Sequence, residues 1–264
     1  FGLAGLPPTA GREERERGHQ GEPVGRSPLT LLGVSRTRIP SPVLMPLIDH
    51  NRKELHLKLV YYGPGLCGKT TNLETIHQRS RPDLRGKLVS LKTESERTLF
   101  FDLLPVNLGS FHGYSVRIHL CTVPGQVAFD STRRLVLRHV DGVVFVVDSQ
   151  ATRLEDNVDS MENLATNLRL QGDDPDRLPL VVQYNKRDLP GVLPVDDLRE
   201  ALAIPGTVPQ FEAVATTGVG VFDTFKAITK ETLRTVGNPA ELPEGRTAPR
   251  VPSRRPSLFP RPIS

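Results

Sequence analysis

The 264-residue chain has no tryptophan, only two cysteines, and no long hydrophobic run. Each absence excludes something. The longest apolar stretches, such as residues 143–147, fall far short of the roughly 18 residues that cross a bilayer as a helix, so no transmembrane helix is expected. Residues 29–34 form a weakly apolar hexamer interrupted by Thr30 and Gly33, which is too short and too polar for a secretory core. Cys67 and Cys121 stand alone, without a CxxC pair or a histidine cluster. That pattern argues against disulfides and zinc and fits a reducing cytosol. The final residues carry no CaaX cysteine, so prenylation is not expected.

The formal net charge of +4 invites a nucleic-acid reading until the charges are placed. Residues 1–44 hold 6 Arg and 4 Glu, and residues 237–264 hold 5 Arg and 2 Glu. The 192 residues between them hold 23 basic and 24 acidic groups. Proline follows the same partition, with 6 in the first segment, 7 in the last and 11 in the middle. The expected organisation is therefore one domain over residues 45–236 with two solvated ends. Residues 237–264 read as a disordered Pro/Arg-rich tail. Residues 1–44 read either as a disordered extension or, the reading favoured here, as in-frame upstream sequence preceding a start at Met45. The near-neutral middle shows none of the basic and aromatic interleaving that builds a single-stranded nucleic-acid platform.

Between residues 54 and 236 short apolar runs alternate with helical patterns, the sign of a largely parallel α/β sheet. Strands are predicted at 55–61, 99–104, 116–121, 142–147, 180–184 and 211–214, and helices at 69–78, 130–138, 153–171, 195–202 and 221–236. The unbroken run Val143-Val144-Phe145-Val146-Val147 predicts a strand buried on both faces. Residues 106–114, with Gly109 and Gly113, are too few for a crossover helix, so the second and third strands should form an antiparallel hairpin.

Directly after the first strand comes Gly63-Pro64-Gly65-Leu66-Cys67-Gly68-Lys69-Thr70, a full G-x-x-x-x-G-K-T match that opens a helix. Such a loop turns backbone N–H groups onto phosphates, and the helix N-terminus adds partial positive charge beneath them. Lys69 is expected on the β and γ phosphates, with the Thr70 hydroxyl on Mg²⁺. About 115 residues later, at the end of a hydrophobic strand, stands Asn185-Lys186-Arg187-Asp188. An ionised Asp188 would accept two hydrogen bonds from guanine, where adenine presents a lone pair. A site built on such bonds can discriminate by roughly 10⁴.

These residues resemble the Ras-like small GTPases, and more closely the bacterial MglA-like subfamily. The resemblance spans residues 45–236 and rests on the run from Val60 through Thr70-Thr71-Asn72-Leu73, on Thr98-Leu99-Phe100-Phe101-Asp102, on Thr122-Val123-Pro124-Gly125-Gln126-Val127, and on Gln183 through Pro190. It implies a three-layer P-loop NTPase, a Ras-like G domain whose mixed six-stranded sheet has one antiparallel edge strand and helices on both faces. It implies a switch cycling between GTP and GDP with Mg²⁺. Within it Gln126 would orient the attacking water, Gly125 would offer its N–H to the γ-phosphate, Thr98 would close on the metal beside Thr70, and Arg97 would act as an intrinsic arginine finger. The main-chain amide of Ala215 would contact guanine, although the usual flanking Ser and Lys are Val214 and Thr216 here. The switches would be residues 82–98 with the strand that follows, and residues 122–129, both ordered by the γ-phosphate.

Two departures from the family pattern stand out. The usual D-x-x-G before the glutamine is Thr122-Val123-Pro124-Gly125, a threonine that the MglA-like group shares, and Asp102 is either a substitute or a surface acid of the hairpin. Glu96 stands where the group usually has Asp. Cys67 belongs to the subfamily motif, which favours packing over a redox role. The resemblance also implies a homodimeric roadblock-family, MglB-like activator, effectors at the switches, a cytoplasmic location, peripheral at the cell pole, and a role in cell polarity or gliding motility. A rival reading is a nucleotide-gated binding module with negligible hydrolysis.

Overall fold

Every residue of the strand Gly142–Asp148 is buried, and its alternation explains why no polar residue interrupts it. Val143, Phe145 and Val147 point into one core, while Val144 and Val146 point into another on the opposite side of the sheet. This strand sits near the centre of the α/β fold, seen here in a computed structural model that describes residues 47–91, 101–126 and 129–242. The expected segment 1–44, residues 243–264 of the expected tail at 237–264, and the positions of Arg97 and Thr98 lie outside the described residues.

In chain order the strands are β1 (Leu47–Asp49), β2 (Glu54–Tyr62), β3 (Val89–Leu91), β4 (Phe101–Phe111), β5 (Tyr114–Thr122), β6 (Gly142–Asp148), β7 (Leu180–Asn185) and β8 (Gln210–Glu212). The helices are α1 (Lys69–Arg79), α2 (Asp130–Leu137), α3 (Leu154–Leu170), α4 (Val195–Ala201) and α5 (Val221–Val236). The sheet runs β3-β4-β5-β2-β6-β7-β8, with β1 paired antiparallel to the start of β2. From β5 through β8 all pairs are parallel. The β4–β5 hairpin is antiparallel, as expected.

The six predicted strands are present, and two three-residue strands raise the number to eight among the described residues. Because β3 pairs with β4, the hairpin strand is not the sheet edge. The hairpin is also longer than predicted. Its turn is only His112 and Gly113, and the ladder slips between Asn107 and Ser110 around Gly109, a bulge that reads in sequence as a loop. Pro105 fits inside β4 although it cannot donate a ladder bond, and its carbonyl accepts from Gly86 N–H at 2.8 Å.

Helices cover both faces. Met161, Leu164 and Leu168 of α3 pack with Val136 and Leu137 of α2 on the Phe145 side, while Leu73 and Ile76 of α1 join Phe225 and Ile228 of α5 on the Val144 side. Ordered packing continues past the boundary expected at residue 236. A single 3-10 turn at Pro239–Glu241 brings Leu242 C=O within 2.6 Å of His50 Nε2, and His50 Nδ1 meets the Tyr114 hydroxyl at 2.6 Å.

Candidate nucleotide site

The carboxyl ends of β2, β6 and β7 meet at one rim of the sheet, where open parallel sheets present their ligand crevice. At the end of β2 the chain turns into α1 through the glycine-rich motif. Gly63 takes φ +143 and any Cβ there would strike the Val146 carbonyl. Gly68 takes φ +101 at the start of α1, and a Cβ would strike the Asn185 amide. Both positions demand glycine for conformation and for space. The buried Lys69 folds over the loop, its Nζ donating to Gly63 C=O at 2.9 Å and Pro64 C=O at 2.6 Å. Leu66 stands out into solvent at φ +64, and Pro64 and Gly65 complete the turn. Cys67 is buried, and burial pushes its thiol pKa up against the pull of Lys69, so it packs the loop rather than offering a thiolate.

A cleft of about 330 Å³ opens beside the loop, lined by Gly68, Lys69, Thr70, Thr71, Asp102, Thr122 and Gly125 among others. Asp102 is a buried carboxylate, not the exposed hairpin acid that the sequence left open. It accepts from Thr70 Oγ1 at 2.6 Å, Thr122 Oγ1 at 2.9 Å and Ser90 Oγ at 2.6 Å. The side chains of α1, β3, β4 and β5 thus converge on one anionic group. A carboxylate next to a hydroxyl in a phosphate cleft is a set of hard oxygen donors suited to Mg²⁺.

The segment after β5 closes the cleft from above. Gly125 lies so near the backbone of Pro64 and Gly65 that a Cβ would overlap it. Gln126 follows, exposed.

On the far side of the loop, Asn185 ends β7 almost wholly buried. Its Nδ2 donates to Cys67 C=O at 2.8 Å, and its Oδ1 accepts from Ala215 N–H at 2.9 Å. One amide side chain therefore ties the phosphate loop to the segment after β8. Ala215 is held from its other side by Thr75 Oγ1, which donates to its carbonyl at 2.7 Å. The Ala215 N–H, expected on guanine, here satisfies the buried Asn185 oxygen. The next amide, Thr216 N–H, makes no hydrogen bond among the described residues. Lys186 takes φ +64 and pairs with Asp148 at 2.7 Å. The Asp188 carboxylate is exposed and has no hydrogen bond or ion pair among the described residues.

Sequence reasoning missed several supporting groups. Asp148 ends β6 as Asn185 ends β7, so its position at the rim was the available signal. Arg153 Nη2 donates to Gly65 C=O at 2.9 Å. Asn72 and Gln183 exchange two amide bonds of 2.9 and 3.0 Å in the core, and Asn72 also donates to Gly68 C=O at 3.0 Å. Nothing in the local sequence joins residues 111 positions apart.

One family profile and three relatives agree with this geometry. The profile of the ADP-ribosylation factor family matches residues 47–233. The chain is 54% identical over 186 residues to the mutual gliding-motility protein MglA of Myxococcus xanthus, covering 70% of this chain and 95% of that protein. It is 26% identical over 198 residues to the Ras-related protein Rab7 of Pisum sativum, covering 73% and 89%, and 29% identical over 113 residues to human ADP-ribosylation factor-like protein 4C, covering 42% and 56%. With a phosphate loop, an N-K-x-D strand end and a glycine–glutamine loop, the chain belongs to the Arf and Ras-like small GTPases, in their MglA-like bacterial branch.

Proposed function

We propose that the protein is a Mg²⁺-dependent GTP/GDP switch whose cleft binds the nucleotide phosphates on residues 63–71 and reads guanine through Asp188. The observation that carries this reading is Asn185, whose single side chain spans the phosphate loop and the segment after β8. Phosphate and base elements are thereby held at one fixed separation. Lys69 would exchange its loop carbonyls for the β and γ phosphates, and the loop amides and the α1 N-terminus would complete the anion site. Thr70, with Thr98 when the switch closes, would hold Mg²⁺, which neutralises charge on the phosphates. Asp102 would take the part of the missing D-x-x-G aspartate. Gln126 would aim the attacking water, Gly125 would sense the γ-phosphate, and Arg97 would supply positive charge to the transition state.

A protein of this branch works by presenting different surfaces in its two nucleotide states. The reading extends to effectors at the switch loops, a roadblock-family homodimer as activator, a cytoplasmic setting and a role in cell polarity or gliding motility. Base recognition is tested by Asp188→Asn. The variant should lose affinity for GTP and gain it for xanthosine triphosphate, with discrimination shifting by up to about 10⁴. Unchanged guanine preference would refute Asp188 as the base reader.

A further inference from the structure

Arginine is seldom buried unless its donors are satisfied, yet Arg133 on α2 is only 6% exposed. Its Nε donates to Asn163 Oδ1 at 2.8 Å, and its Nη2 meets Asp130 Oδ1 at 3.2 Å. Its Nη1 donates to the backbone carbonyl of Gln126 at 2.6 Å and, at the long limit of 3.5 Å, to that of Pro124. The anchoring side is itself braced from α3 and β2. Asn163 and Asn167 each donate to Asp130 Oδ1 at 2.9 Å, and the Tyr62 hydroxyl donates to Asn163 Oδ1. Burial alone would raise the Asp130 pKa, but the amide bonds from Asn167 and Asn163 and the Arg133 charge more than offset it, so the carboxyl stays below its ordinary range.

The guanidinium therefore works as a fork between two bodies. One side is fixed to α3, and the other reaches the main chain that carries Gln126. On its opposite side the same loop rests against Pro64 and Gly65 through Gly125. A lysine has the charge but is a point donor and cannot bridge both sides in one plane.

We infer that Arg133 is a positioning residue for GTP hydrolysis, fixing the backbone at residue 126 so that the Gln126 amide is aimed at the attacking water. The inference rests on the reading of Gln126 given above. Arg133 does not itself line the cleft and meets its lining only at the Pro124 carbonyl, so its effect runs through the loop.

The test is single-turnover GTP hydrolysis by full-length wild type, Arg133→Lys, Asn163→Ala, Gln126→Ala and the Arg133→Lys/Gln126→Ala double variant, with GDP and GTP affinities and thermal unfolding measured beside it. A misplacement of the order of an ångström costs about 10²-fold in rate. Arg133→Lys should slow hydrolysis by about that factor with nucleotide affinities near wild type, Asn163→Ala should slow it less, and the double variant should be no slower than Gln126→Ala. A folded Arg133→Lys that hydrolyses at the wild-type rate, or that loses the same factor with and without Gln126, overturns the inference. If Gln126→Ala itself hydrolyses at the wild-type rate, the underlying reading of Gln126 falls and the inference with it. If Gln126→Ala is slow while Arg133→Lys is not, only the positioning role falls. Should Arg133→Lys fail to fold, Asn163→Ala decides by the same criteria, alone and combined with Gln126→Ala.

Discussion

Asp102 and Thr122 grip each other twice across the β4–β5 pair. The Thr122 hydroxyl donates to Asp102 Oδ2 at 2.9 Å, and Thr122 Oγ1 in turn accepts from Asp102 N–H at 2.9 Å. Thr122 occupies the place where most Ras-like proteins carry the aspartate of D-x-x-G, and here it steers a carboxylate from the neighbouring strand to Thr70. Under the proposal above, Asp102 would supply the missing acid from the neighbouring strand.

Asp102→Asn checks that substitution. An amide would turn an N–H₂ toward at least one of the three hydroxyls that now donate, so Thr70 would lose its fixed orientation. Outer partners of a metal are typically worth 10–100-fold in its affinity, so the Mg²⁺ concentration that half-saturates nucleotide retention should rise by about tenfold or more. Fluorescent GDP release titrated with Mg²⁺ measures it. An unchanged midpoint would reduce Asp102 to a brace of the hairpin.

Gly125→Ala probes the contact between the two loops. The added methyl has no space against Pro64 and Gly65, so the 122–126 segment must move away from the phosphates. Hydrolysis should fall by roughly 10²-fold. Unfolding temperature should hardly change, because the segment lies at the rim. Single-turnover assays with thermal denaturation separate these effects, and a wild-type rate would mean the close approach is not needed for turnover.

Gln183→Leu addresses the buried polar joint behind the site. Gln183 bonds Asn72 twice and donates to Thr224 Oγ1 at 3.0 Å, joining α1 to α5 through β7. Leucine fills similar volume but leaves the Asn72 amide short of partners, which costs about 1–3 kcal/mol. Because Asn72 also holds Gly68 C=O, nucleotide affinity should weaken along with stability. Urea unfolding of the nucleotide-free protein reads the first effect, and a loss under about 0.5 kcal/mol would show the joint to be dispensable.

What could be read from the sequence divides along a physical line. Helix limits at 69, 130, 195 and 221 and the buried β6 run follow from local periodicity and came out within a residue or so. The strands β1 and β3 did not, since three residues carry no period and exist only because β2 and β4 offer open edges. The hairpin was read too short because Pro105 and Gly109 signal breaks that the neighbouring chain and a bulge absorb. In the site, Lys69, Thr70 and Asn185 were legible as spaced motifs. The paired hydrogen bonds of Asp102 and Thr122, the Asn185 bridge that takes the Ala215 amide, and the reach of Arg133 to Gln126 were not, because each depends on where tertiary packing sets a side chain.

The central claim is that this cleft hydrolyses GTP through Gln126 and an arginine of its own chain. Single-turnover hydrolysis of γ-labelled GTP by wild type, Gln126→Leu and Arg97→Ala, with and without a roadblock-type activator, tests it most directly. The account predicts measurable release by wild type and a loss in both variants, with Arg97→Ala slower by roughly 10³-fold or more under activation. Equal, near-zero rates in all three proteins with the activator present would contradict it and point to a nucleotide-gated binding module.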